Sequence, residues 1–77
     1  MTDLRKKFEE AVEARVCGSF DLPSRTHIFY FLGPGPDIKG FGDWPNQAFD
    51  DFITKLKAVI DKTSDEMLTK WLEELNG

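Results

Sequence analysis

The chain carries one thiol, Cys17, and one imidazole, His27, so nucleophilic chemistry on a Cys/His pair would have to use both. Cys17 falls at the C-terminal end of the first helical pattern, where the helix dipole is negative, whereas an activated cysteine needs a positive field. His27 opens a run of strand-forming residues and reads as a half-exposed strand residue. One His and one Cys do not complete a zinc site. A calcium loop counted from Asp61 would want Gly at position 66 and Glu at 72, where the chain has Glu66 and Leu72. Asp50 and Asp51 are helix neighbours, so their carboxylates diverge by about 100° instead of converging on a substrate. No catalytic or metal-ligating residue is assigned.

The segment Gly33-Pro34-Gly35-Pro36-Asp37-Ile38-Lys39-Gly40-Phe41-Gly42 resembles a phosphate cradle only in its glycines. Such a cradle works through backbone N–H groups; Pro34 and Pro36 have none, and Asp37 and Asp43 would repel the ligand. Lys39 is followed by Gly40 and Phe41 instead of the Ser or Thr of a phosphate-binding loop. No cofactor is expected. The stretch suits protein contact better, because large aromatics on a Gly- and Pro-punctuated loop are the side chains that dominate interface energetics. The candidate contact residues are Ile38, Lys39, Phe41, Asp43 and Trp44. Trp44, just before Pro45, also suits a staple against the following helix, and Trp71 reads as core.

These residues must be held by a small set of elements. Leu4, Phe8, Ala11, Val12 and Val16 share one side of a first helix, capped by Thr2 or Asp3 and stopped by Gly18. Phe20 and Leu22 alternate in a short stretch at 19–22 that Pro23 ends, a candidate extra strand. Thr26 to Leu32 reads as a strand with two apolar faces, Ile28, Tyr30 and Leu32 on one and Phe29 and Phe31 on the other. Residues 37–43 read as a loose hairpin arm or ordered loop, because Gly40 and Gly42 weaken a strand there. From Asn46 the period becomes helical, with Phe49, Phe52, Ile53, Leu56, Val59 and Ile60 on one stripe. Thr63 to Glu66 has capping-box spacing for a last helix striped by Leu68, Trp71, Leu72 and Leu75. The expected fold is therefore α+β: an N-terminal helix, a strand or loose hairpin, then an antiparallel pair of helices packed on the sheet.

With 77 residues the chain is a single small domain, 1–77, and its seven Phe, two Trp and one Tyr exclude extensive disorder. The net charge of −4 argues against nucleic acid and anionic membrane as partners. All of it lies after Pro36, so the helical half carries any acidic surface. The helix–turn–helix from Phe49 to Leu75 is not a DNA reader, since Asp65, Glu66, Glu73 and Glu74 on its second helix would repel phosphate. A mimic of nucleic acid has the right sign of charge, but lysines interrupt the carboxylates.

A lone cysteine cannot form an internal disulfide and suits a reducing, cytoplasmic setting. The longest apolar run, Ile28 to Leu32, is too short to span a membrane. The reading is a small acidic, non-catalytic protein-binding or regulatory domain acting through its aromatic loop, with a protein partner. Compact acidic inhibitors and adaptors, phage-encoded ones among them, share this character, although no motif ties the chain to a family. A small enzyme or carrier with a pocket between strand and helices, using Tyr30, His27 or Asp37, is an alternative, and a structural subunit of a larger assembly is another. A homodimer joined through strand 26–32 is one way to close the exposed edges of a small sheet.

Overall fold

The computed structural model describes residues 2–76. The apolar stripe of Leu4, Phe8, Ala11 and Val12 defines helix α1 (Thr2–Glu13), with Phe8 and Val12 fully buried. The helix stops at Glu13, earlier than its pattern suggests. The Arg15 N–H bonds to the Val12 carbonyl as the chain turns, and Val16 reaches the core from outside the helix. Gly18 is therefore not the helix stop, and Cys17 is not at a helix end. Both belong to strand β1 (Cys17–Asp21), the expected short strand moved toward the N-terminus so that Leu22 falls in the turn after it.

A turn in which the Ser24 N–H bonds to the Asp21 carboxylate leads into β2 (Thr26–Phe31), and β3 (Ile38–Gly42) follows. The three strands form one antiparallel sheet in the order β1-β2-β3. Strand 26–32 is thus central, with its backbone paired on both sides. It cannot join two copies edge to edge, and the dimer route expected through it is closed.

Of the two expected forms, residues 38–42 take the hairpin arm, as a full strand, and their glycines explain why. A Cβ on Gly40 would lie 2.3 Å from the backbone N of Phe52 and 2.4 Å from the carbonyl O of Ala48. Helix α2 (Pro45–Lys62) therefore lies directly against β3, closer than any side chain would allow. Ala48, Phe52, Leu56 and Ile60 of α2 are buried beneath the sheet. Pro45 stands at the start of α2, where its missing N–H costs nothing.

Helix α3 (Asp65–Asn76) begins after Ser64, whose hydroxyl accepts the Met67 N–H at 3.3 Å. The cap is thus Ser64, one residue beyond the expected Thr63, whose hydroxyl instead donates to the Val59 carbonyl at 2.6 Å. Leu68 and Leu75 bury the inner side of α3. Gly35, at φ 113°, carries the β2–β3 connection over the Trp71 ring, which a Cβ there would approach to 3.3 Å.

The chain is α+β as expected: an N-terminal helix, an antiparallel sheet, and two helices packed on it. Phe8, Phe31, Phe52, Leu56 and Leu68 meet in one core, each burial stabilising by about 1.5–3 kcal/mol. The main helix neighbour of α3 is α1, through Phe8 and Trp71 with ring centroids 5.7 Å apart. No described helix is long and apolar enough to cross a membrane.

Candidate functional site

Alternation along the strands sorts their side chains between two faces. Phe29, Phe31, Ile38 and Gly40 look inward to α2, and Phe29 meets Phe49 edge-on at 5.5 Å. Ile28, Tyr30 and Leu32 look outward, joined across the ladder by Phe41 opposite Ile28 and Lys39 opposite Tyr30. Ser19 and Cys17 of β1 complete this outer face, opposite Ile28 and Tyr30. No described helix covers it. Ser19, Ile28, Tyr30, Leu32, Lys39 and Phe41 line a shallow groove of about 390 Å³ there. Leu32 is 64% exposed and Phe41 47%.

The outer rim of β3 is held by two side chains one helical turn apart on α2. Asp51 accepts the Phe41 N–H at 3.0 Å, and the Lys55 ammonium donates to the Lys39 carbonyl at 2.9 Å. The two are themselves paired at 2.9 Å, and the Lys55 ammonium lies 5.1 Å from the centre of the Phe41 ring. An exposed ion pair alone contributes little, but here each partner also satisfies a backbone group of an edge strand. The Lys55 hydrogen bond first, and the Phe41 N–H second, hold the Asp51 carboxyl below its ordinary value.

Of the residues expected at the contact surface, Lys39 and Phe41 lie on this face. Ile38 does not: it is 3% exposed, turned into the core by the alternation of β3. Asp43 and Trp44 follow the strand. Trp44 does not staple the helix inward but is 65% exposed, its carbonyl accepting the Ala48 N–H at 3.0 Å. Ile28, Tyr30 and Leu32 were visible in the sequence as one apolar face of a strand. What placed them with Phe41 was the ladder register. The Asp51–Lys55 clamp announces itself only as an i,i+4 pair.

The remaining chemistry-bearing residues do not converge. Cys17 is on the outer face, whereas His27 is on the inner side, its ring 4.8 Å from that of Phe20, so no Cys17/His27 dyad forms. Tyr30 on the outer face and His27 on the inner side likewise share no pocket with Asp37, because the space between sheet and helices is filled by the apolar core. A second groove, of about 450 Å³ between α1 and α2, is lined by charges of both signs, including Lys6, Glu9, Lys57 and Asp61. Among the described residues no three of His, Cys, Asp and Glu come together as metal ligands. Comparison with protein-family models, with curated proteins and with solved structures found no significant match for this chain.

Proposed function

We propose that this domain is a non-catalytic protein-binding module, regulatory in character, whose contact surface is the outer face of its sheet. The observation that carries this reading is the gathering of Ile28, Tyr30, Leu32 and Phe41 on one face that no described helix covers. A contiguous apolar patch on a small domain is costly to leave in water and marks a surface meant for contact. Tyr30 and Phe41 supply the aromatic anchors typical of interface centres, and the exposed Trp44 adds a third aromatic nearby in the chain. Lys39 brings its cation to this face although the domain carries −4 overall, while the Lys55 charge is balanced by Asp51. The surface therefore fits an apolar partner segment that also bears a carboxylate for Lys39. The single free thiol, exposed on this face, favours a reducing compartment such as the cytoplasm.

The test is affinity capture from cell extract with the wild-type chain and with Ile28→Asp and Phe41→Asp, alongside Glu10→Lys on the helical surface as a charge control. A partner retained by wild type and Glu10→Lys but lost by both face variants supports the reading. A partner that binds the face variants equally, while their circular dichroism and melting match wild type, sinks it.

A further inference from the structure

The two edges of the sheet are treated differently. On β3, the Phe41 N–H and the Lys39 carbonyl are taken by Asp51 and Lys55, so these backbone groups point away from β2. In an antiparallel sheet the N–H and C=O of one residue point to the same side, and successive residues alternate. Tyr30 and Ile28, opposite Lys39 and Phe41, therefore direct their backbone groups toward β1, where they meet Cys17 and Ser19. Gly18 and Phe20 are left as the β1 residues whose N–H and C=O face outward. Among the described residues no side chain or backbone group bonds to them, and all five residues of β1 are exposed. The strand contains neither Lys nor Pro, the residues that commonly protect an open edge.

We propose that β1 pairs antiparallel with β1 of a second copy of this chain, about a two-fold axis at Ser19, to make one continuous six-stranded sheet. This register places Gly18 opposite Phe20 of the second copy, so the open N–H and C=O groups of both residues are satisfied on both chains at once. It engages the whole of β1, whereas centring on Gly18 or Phe20 pushes the pairing past one end of the strand. The side chains agree with it. On the inner side the 47%-exposed Phe20 faces the space above Gly18 of the second copy, an aromatic covering a glycine. On the outer face Cys17 faces Asp21, and Ser19 faces Ser19, so no like charges meet. The inference uses the edge of the sheet and not its outer face, and it stands apart from the binding role proposed above.

Sedimentation equilibrium in reducing buffer, from about 5 to about 500 μM because the contact is small, is expected to show the mass rising from 8.8 kDa toward twice that value. Phe20→Pro removes an outward N–H that β2 does not use, and is expected to weaken the dimer about tenfold or more. In a Cys17→Ser background, Ser19→Cys is expected to cross-link on oxidation, since a non-hydrogen-bonded pair brings its Cα atoms to about 4.5 Å. A mass of 8.8 kDa at every concentration overturns the proposal. So does a dimer that a folded Phe20→Pro chain retains unchanged. Should that variant unfold, the cross-link decides: Ser19→Cys oxidising no faster than Leu22→Cys in the same background overturns it as well.

Discussion

The Arg15 guanidinium donates to the Leu75 carbonyl at 2.6 Å, and Arg5 grips Asp65 and the Thr63 carbonyl at the other end of the same pair of helices. Both arginine contacts bridge 60 residues to their α3 partners, so α1 and α3 run parallel and in step. Arg15 thereby supplies a cation and donors to a helix C-terminus whose carbonyls lack partners within the helix. Arg15→Ala is expected to cost about 1.5 kcal/mol in urea unfolding. Amide exchange should rise in the last turn of α3 and not in α2. Unchanged protection there would show that the contact does not hold the helix end.

Gly40→Ala asks α2 to move. The new methyl would overlap backbone atoms of Ala48 and Phe52, which cannot rotate aside as a side-chain tip would. A loss of about 3 kcal/mol or more is expected, read as a shift in denaturation midpoint. A loss below about 1 kcal/mol would mean that helix and strand separate easily.

Trp44 occupies the N-cap of α2 without any side-chain cap hydrogen bond. Trp44→Asp should therefore raise stability by about 1 kcal/mol, while removing an exposed aromatic from the surface. Greater stability with weaker partner capture would show that the tryptophan is kept for contact and not for folding. Lower stability would instead reveal packing by its ring.

Asp51 links pH to the β3 rim. Its carboxyl titrates below the ordinary 3.8 in the folded chain, so the charged form is favoured by folding. The resulting stability is present above that ordinary value and is lost as pH falls through the lowered one. Thermal melts of wild type and Asp51→Asn should differ near neutrality and converge in acid. A gap independent of pH would assign the effect to geometry alone.

Glu13 has the opposite sign. Partial burial, then the hydrogen bond and charge of Glu9, raise its carboxyl above the ordinary 4.5. Folding therefore favours the protonated form, and the ionised group costs stability once pH exceeds its raised value. Glu13→Gln should melt higher than wild type at pH near 7, with the advantage vanishing below about 4.5. An advantage that persists in acid would point to packing instead of charge.

The helical elements and the central strand were readable because their apolar residues keep a period over many positions, as Phe49 to Ile60 do in α2. β1 was only partly readable: Cys-Gly-Ser-Phe-Asp has one large apolar residue, and an exposed edge strand needs no more. β3 could be read only as a hairpin arm or an ordered loop because Gly40 and Gly42 lower strand propensity locally, while the close approach of α2 decides for the strand globally. Val16 fits the helical period of α1, yet it reaches the core after the helix has ended. Ile38 turned inward because a strand with one face on a helix fixes the direction of each side chain, whereas Trp44, beyond the end of β3, stays exposed at the N-cap of α2. The outer face could be named residue by residue in β2, but its junction with Phe41 is a matter of pairing register that no local pattern encodes.

The parallel pairing of α1 with α3 also sets the order of assembly. Phe8 and Val12 share one core with Leu68 and Leu75, and Phe8 meets Trp71, so α1 is completed by α3. Contacts this distant in sequence must close a loop that takes in the whole sheet and α2, which slows folding relative to a bundle of neighbouring helices. During synthesis, α1 therefore emerges with an apolar side that α2 covers only in part, and the rest waits for residues 65–76. Substitutions in α3 should act on folding yield in the cell as strongly as on the stability of the finished chain.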